Sequence, residues 1–101
     1  MNKTELLKKA INTYGVQAQK DMMIEEMSEL TKAILKERRA LKDRNKKYID
    51  LEVARVEIKE EIADVQIMLN QMKIIYGSTN KWENLKLQRL ENMLLKVENH
   101  A

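Results

Sequence analysis

Residues that interrupt helices are almost missing from this sequence. Its 101 residues include no proline and only two glycines, Gly15 and Gly77. Proline and glycine mark turns most strongly, and β-sandwiches and barrels need such turns at short intervals. Phenylalanine is also absent and aromatic residues are 4% of the chain, a composition that disfavours strands. The sequence therefore predicts an all-α protein with long helices that end near the two glycines.

Four segments carry the pattern of amphipathic helices. Asn2 is placed to cap a first helix that stops at Gly15. A second helix runs from about Val16 into a basic stretch, and a third runs from near Ile49 to Gly77. The last helix follows three good capping residues, Ser78, Thr79 and Asn80. The predicted protomer has four helices, and the second and third form a central antiparallel hairpin.

Apolar residues recur every three or four positions along the two long helices. The stripe of the second helix is Met23, Met27, Leu30 and Ile34, and that of the third is Ile58, Ile62, Val65, Leu69, Met72 and Tyr76. The third helix is apolar outside this stripe as well, at Ile67, Met68, Ile74 and Ile75. A helix with this character needs neighbours on several sides. We therefore expect a homo-oligomeric helical bundle, either a dimer or a tetramer.

Composition excludes several classes of protein. Cysteine is absent and the only histidine is His100, so disulfides, zinc–thiolate sites and catalysis by Cys or His are not expected. The net charge of +3 is too mild to indicate a nucleic-acid partner. No segment has the roughly 18 apolar residues of a membrane span, and no signal-peptide core is visible. We expect one cytoplasmic domain over residues 1–101 with no membrane contact.

Two pairs of acidic residues do not fit a solvent-exposed helix face. Glu26 and Glu29 lie on the flank of the second helix's apolar stripe, and Glu61 and Asp64 lie on that of the third. A hairpin that turns near Asn45 places the two acidic pairs at the same height along the hairpin axis. Carboxylates that are partly buried need a cation or become protonated.

Two kinds of cation satisfy this requirement. Lysine or arginine from a neighbouring helix would make an ordinary ion-pair network. A divalent metal would instead bind the oxygens, and ligation by oxygen alone, without His or Cys, indicates Mg²⁺ or Mn²⁺. The spacing of the acids leaves both interpretations open.

The acidic segments have the order of a known signature. The sequence reads Glu25-Glu26-Met27-Ser28-Glu29, then Glu60-Glu61-Ile62-Ala63-Asp64-Val65, and in the last helix Asn84-Leu85-Lys86-Leu87-Gln88-Arg89-Leu90. This order resembles the EExxE, ExxD and C-terminal Asn-x-Lys motifs of the MazG-like, all-alpha nucleoside triphosphate pyrophosphohydrolases. The chain departs from that family in its spacer of 31 residues between Glu29 and Glu61, which is longer than usual. It also has Leu87, Gln88 and Leu90 where the family has Phe, Arg and Phe.

The resemblance implies roles for particular residues. Mg²⁺ would be bound by Glu26, Glu29, Glu61 and Asp64, and Glu25 would be a water-orienting base. Contacts to the nucleotide would come from Asn84, Lys86 and Arg89. The implied reaction is the hydrolysis of a nucleoside triphosphate to the monophosphate and pyrophosphate by a metal-activated water. The alternative is a non-enzymatic helical binding or regulatory module that uses the basic segment Arg38 to Lys47.

Overall fold

The computed structural model describes residues 1–42 and 48–100, without the side chains of residues 48 and 49. Four helices account for nearly all of these residues: α1 (Lys3–Tyr14), α2 (Val16–Lys42), α3 (Tyr48–Tyr76) and α4 (Asn80–Asn99). No strand occurs in the described ranges. The prediction of an all-α chain with four helices is confirmed, whereas the predicted turn at Asn45 lies outside the described residues.

The caps of α1 and α3 follow the sequence, whereas Thr79, the N-cap of α4, makes no side-chain cap hydrogen bond. The backbone N–H of Glu5 donates to Asn2 Oδ1 at 2.8 Å, which caps α1. Gly15 and Gly77 have φ of +94° and +97°, a conformation that residues with a Cβ rarely adopt. The two predicted glycine stops are confirmed.

The predicted antiparallel hairpin of α2 and α3 is also confirmed, and it is the main packing contact of the protomer. Two ion pairs cross between the helices: Lys36 Nζ lies 3.0 Å from Glu57 Oε2, and Arg55 Nε lies 3.1 Å from Glu37 Oε2. The midpoint of the two residue numbers in each pair is about 46, close to the turn expected near Asn45. The α1 helix packs against both arms.

The line along which the two arms touch differs from the predicted apolar stripes. Its α2 positions are spaced alternately by four and three residues, and all are buried or half-buried: Gln19, Met23, Glu26, Leu30, Ala33, Glu37 and Ala40. On α3 it includes Ala54, Glu57, Glu61, Met68 and Gln71. This alternation is typical of a coiled-coil seam. We call these positions the hairpin seam.

Small side chains explain why the arms meet at the hairpin seam. Ala33 and Ala54 are 7% and 1% exposed, and alanine lets two helix backbones approach closely. The larger apolar residues Met27, Ile34 and Ile62 therefore remain on the outside of the hairpin, each about half exposed. Of the predicted apolar stripes, Met23 is buried and Leu30, Ile58, Val65 and Met72 are half-buried, whereas the other members are exposed.

The last helix stands apart from this hairpin. All residues of α4 are exposed, and α4 packs against none of the other described helices. An ion pair of 3.8 Å between Lys73 Nζ and Glu83 Oε2 joins its first turn to α3. None of the described helices has the length and apolar composition that crossing a membrane requires.

Ala54→Leu should destabilise the protein by about 1–3 kcal/mol, because Ala54 is 1% exposed and the added carbons must fit into a filled space. Urea unfolding followed by circular dichroism measures this change. Ala63→Leu, at an exposed position of α3, is the matched control and should change stability by no more than about 0.5 kcal/mol. Equal losses in the two variants would contradict the assignment of the hairpin seam.

Candidate metal centre

Three carboxylates from the two arms meet at the middle of the hairpin. Glu26 comes from α2, and Glu61 and Asp64 come from α3; one oxygen of each lies within 4.8 Å of the other two. Glu61 and Asp64 are three residues apart and therefore share one face of α3. Glu26 and Glu61 are half-buried, and Asp64 is exposed. We call these three residues the acidic triad.

The electrostatics of the triad are unfavourable in the absence of a cation. Burial raises the pKa of the Glu26 carboxyl, and the negative charges of Asp64 and Glu61 and a hydrogen bond to Glu61 raise it further. Glu61 Oε2 is buried and has no hydrogen-bond partner. Within the described part of the chain, no lysine or arginine makes an ion pair with any of the three acids.

This arrangement fits a hard divalent cation. Mg²⁺ binds carboxylate oxygens through one or two side chains and keeps its other positions for water and phosphate. The triad offers three such oxygens, and the free Glu61 Oε2 is an acceptor that lacks a donor. An ion-pair network of the ordinary kind would instead place a basic side chain beside these acids.

The other two predicted acidic residues lie next to the triad but do not join it. Glu29 is about one turn beyond Glu26 on α2, and its Oε1 accepts a hydrogen bond of 3.3 Å from Lys32 Nζ. Glu25 is exposed, and its charge contributes to the raised pKa of Glu26. The structure thus brings together three of the four predicted metal ligands.

The predicted nucleotide-binding residues of the last helix are remote from the triad within one protomer. Asn84, Lys86 and Arg89 are exposed on α4. Since α4 packs against neither α2 nor α3, the protomer alone does not bring these three side chains to the acids.

A cleft of about 310 Å³ adjoins the triad and shares Glu61 with it. Four glutamates line this cleft: Glu29, Glu57, Glu60 and Glu61. Three basic residues of α2 also line it, Lys32, Lys36 and Arg39, and we call them the basic row. The sequence pattern did not indicate a role for the basic row beside the acids, although its spacing after Glu29, by three, four and three residues, places all three on one helix face.

The metal-free protein should become more stable as the pH falls from neutrality toward 4.5, the ordinary pKa of a glutamate. Because the folded-state pKa of Glu26 is raised, the folded protein binds this proton more tightly than the unfolded chain does, so stability is lost as the pH rises. Thermal unfolding in a chelating buffer across this range measures the slope.

Glu26→Gln provides the control for this pH dependence. Its unfolding temperature should vary less with pH than that of the original protein, because the group that titrates is gone while the side-chain shape is kept. Identical pH profiles for the two proteins would contradict the proposed repulsion in the triad.

Comparisons with known proteins do not assign this site. No family model matches the chain, and no curated protein or solved structure matches it significantly. The residues of the triad and their geometry are therefore the basis for assigning a function.

Proposed function

We propose that the chain is a Mg²⁺-dependent nucleoside triphosphate pyrophosphohydrolase that converts an NTP or dNTP to the monophosphate and pyrophosphate. The observation that carries this proposal is the acidic triad with its unpaired Glu61 Oε2 and no described basic partner. The resemblance of residues 25–29 and 60–65 to the MazG-like motifs supports the same side chains. Mn²⁺ has the same preference for oxygen ligands and is the alternative metal.

The triad residues Glu26, Glu61 and Asp64 would hold the metal. Glu29 would join them by giving up its exposed ion pair with Lys32, which costs little because such pairs contribute about 0–1 kcal/mol. Bound Mg²⁺ would offset the charge of the phosphates and make a nearby water more acidic. Without a cation, four neighbouring carboxylates would repel a triphosphate.

The basic row would hold the phosphates. Lys32 and Lys36 are at present paired with Glu29 and Glu57 on exposed surfaces, so a phosphate can replace these partners at small cost. Arg39 lines the same cleft. The row therefore orients the triphosphate along α2, with its reacting phosphoanhydride beside Glu61.

The proton of the attacking water needs an acceptor. Glu25 is exposed next to Glu26, and we assign its carboxylate to this role. The water oxygen bonds to the α-phosphorus, the bond from that phosphorus to the bridging oxygen breaks, and pyrophosphate leaves with the bond's electrons. The nucleophile is thus water, and the chain's own groups position it and accept its proton.

We also propose that the protein functions as a homo-oligomer. Its radius of gyration is 18.3 Å, against about 13 Å for a compact chain of this length. Its accessible surface is 8383 Å², about 2,400 Å² more than a compact monomer of this mass exposes. A standard interface covers about 800 Å² of each partner, so the excess suffices for extensive self-association.

Two exposed apolar surfaces of the same chain could cover each other in such an assembly. One is the outside of the hairpin, with Met27, Ile34, Ile62 and Leu69; the other is α4, with Trp82, Leu87, Leu90, Leu94 and Val97. The α4 helix has 20 residues and packs against no other described helix, whereas most helical stability in proteins comes from packing. Contact with a second copy would stabilise α4 and could bring Asn84, Lys86 and Arg89 to that copy's triad.

Asp64→Asn separates the metal site from an ion-pair network. If the acids serve Mg²⁺, this variant should lose most pyrophosphate release and most of the Mg²⁺-induced stabilisation, while its metal-free stability stays level or rises. If Asp64 instead serves an ion pair, metal-free stability should fall by no more than about 1 kcal/mol, because Asp64 is exposed, and hydrolysis and the Mg²⁺ response should be unchanged. Pyrophosphate assays measure hydrolysis, and thermal unfolding with and without Mg²⁺ measures stability and the response to the metal.

Glu52→Gln is the matched control for Asp64→Asn. It removes an acid from the same helix, where Glu52 makes only an exposed ion pair of 3.7 Å with Arg55. Hydrolysis and the Mg²⁺ response should be unchanged. A loss of metal-free stability in Asp64→Asn, with hydrolysis intact, would overturn the catalytic proposal.

Leu90→Glu should weaken self-association and lower the helix content, because it places a charge on the exposed apolar face of α4. Sedimentation velocity at low micromolar concentration, together with circular dichroism, measures both effects. Leu6→Glu, on α1 and outside both apolar surfaces, is the control and should leave the assembly intact. A fully helical monomer of 11.9 kDa in the original protein would contradict the oligomer.

A further inference from the structure

Lys36 makes the most extensive contact of the three cations in the basic row. Its Nζ donates to both carboxylate oxygens of Glu57, at 3.1 Å to Oε1 and 3.0 Å to Oε2. Lys32 makes a single contact of 3.3 Å with Glu29, and Arg39 makes no ion pair with any residue in the described ranges. All of these side chains line the cleft of about 310 Å³ beside the triad. Glu57 thus takes the place on Lys36 that phosphate oxygens would need.

The two partners of this ion pair differ in their freedom to move. Glu57 is half-buried and belongs to the hairpin seam, so its carboxylate is confined between α2 and α3. Lys36 is exposed and carries its charge on a flexible stem of four carbons. If a phosphate takes Lys36, the lysine would therefore move while the glutamate stays. The bound phosphate would then lie close to a carboxylate that has lost its counter-ion.

Glu57 differs from the other glutamates of this cleft in what its charge opposes. Glu61 belongs to the triad, and Glu29 is assigned to the metal in the proposed function. Glu60 lines the cleft but makes no ion pair with any described residue. Glu57 is therefore the carboxylate that stays beside the basic row and competes with phosphate for Lys36.

We propose that Glu57 is a positioning residue that competes with the pyrophosphate product for Lys36 and so promotes its release. The inference rests on the proposed function, in which the basic row holds the phosphates and the reacting phosphoanhydride lies beside Glu61. The leaving pyrophosphate therefore lies on the basic row. Before the bond breaks, the α-phosphate and the nucleoside also anchor these phosphates. Afterwards pyrophosphate keeps only the contacts of its own oxygens, and Glu57 pairs with Lys36 again.

The second ion pair between the two arms provides a matched comparison. Arg55 Nε lies 3.1 Å from Glu37 Oε2, close to the distance within the Lys36–Glu57 pair. Glu37 and Arg55 line a separate cleft of about 360 Å³, whose described lining residues include no member of the triad. If both pairs only joined the helices, removing either acid would have the same effect. Under the proposal, only the pair beside the triad affects the binding of phosphate.

Binding of inorganic pyrophosphate tests this inference without hydrolysis. Calorimetric titration of the full-length protein in the presence of Mg²⁺ measures the Kd of pyrophosphate. Glu57→Gln keeps the shape of the side chain and removes its charge, so this variant should bind pyrophosphate about threefold more tightly. Glu37→Gln should lower the unfolding temperature to a similar extent but leave this Kd unchanged. An unchanged or raised Kd in Glu57→Gln, or no binding of pyrophosphate to either protein, would overturn the inference.

A double-mutant cycle separates competition for Lys36 from a general change of charge in the cleft. In a Lys36→Met background, Glu57 has no lysine to compete for, so adding Glu57→Gln should leave the Kd of pyrophosphate nearly unchanged. Glu60→Gln removes a charge from the same cleft and should strengthen binding less than Glu57→Gln does. Equal strengthening with and without Lys36, or by the two glutamine variants, would contradict the role of Glu57.

Steady-state kinetics adds a measurement that a purely structural role would not change. The substrate is the nucleoside triphosphate that the protein hydrolyses fastest. In Glu57→Gln, pyrophosphate should inhibit at about a threefold lower concentration, and KM should fall about threefold. The turnover number kcat should stay level or fall, because the product leaves more slowly while the chemical step is unchanged. A raised kcat would count against a role in product release.

The two proposals fail in different ways. If the protein hydrolyses nucleoside triphosphates but Glu57→Gln does not strengthen pyrophosphate binding, the role of Glu57 is overturned and the proposed function stands. If Glu57→Gln strengthens pyrophosphate binding through Lys36 but no nucleoside triphosphate is hydrolysed, the pyrophosphohydrolase proposal fails, and with it the role of Glu57 in product release.

Discussion

The packing of α2 against α3 is the interaction on which the rest of this structure depends. Ala33 and Ala54 are buried on the two arms, and the ion pairs Lys36–Glu57 and Glu37–Arg55 cross between the arms toward the closed end of the hairpin. Once the register is set, the heptad spacing carries Glu26 to the same level as Glu61 and Asp64. The carboxylates are held together against their own repulsion by contacts made elsewhere on the hairpin.

The residues that stabilise the hairpin are different from the acids of the triad, so the triad can keep an unfavourable concentration of negative charge. On the hairpin, the buried apolar residues lie on both sides of the triad. Ala33 and Ala54 lie toward the closed end, and Met23 and Met68 lie toward the open end. Burial and the repulsion among the acids between them raise the pKa of Glu26. Glu61 Oε2 is buried there without a hydrogen-bond partner. If a cation binds here, as we propose, it would meet ligands already positioned, and little of its binding free energy would be spent on ordering side chains.

Much of the fold could be predicted from the sequence because its signals are local. Gly15 and Gly77 stop helices through their own backbone conformation, and Asn2 caps through a contact three residues away. The hairpin seam could not be predicted in the same way, since the small residues Ala33 and Ala54 are buried along it while the more hydrophobic Met27 and Ile62 remain exposed. Periodicity identifies a face of a helix but does not say which neighbour covers it.

In the candidate site, too, features that depend on local spacing could be predicted, whereas features that depend on packing could not. Spacing was enough to place Glu61 and Asp64 on one face of α3, and the symmetry of the hairpin placed Glu26 opposite them. Spacing could not show that Glu29 accepts a hydrogen bond from Lys32, because this depends on a side-chain rotamer. The contact between Lys36 and Glu57 carried no signal in the sequence, since it joins residues of different helices and is visible only once α2 and α3 are packed together.

The isolation of α4 has a consequence for the kinetics of folding. If its apolar face is covered only by another copy, then about a fifth of the chain becomes stably helical in a bimolecular step, whereas α1 to α3 can form within a single molecule. The rate of that step would depend on protein concentration. A newly made chain would thus carry a complete acidic triad before its last helix is ordered, and the interval between the two events would shorten as the protein accumulates.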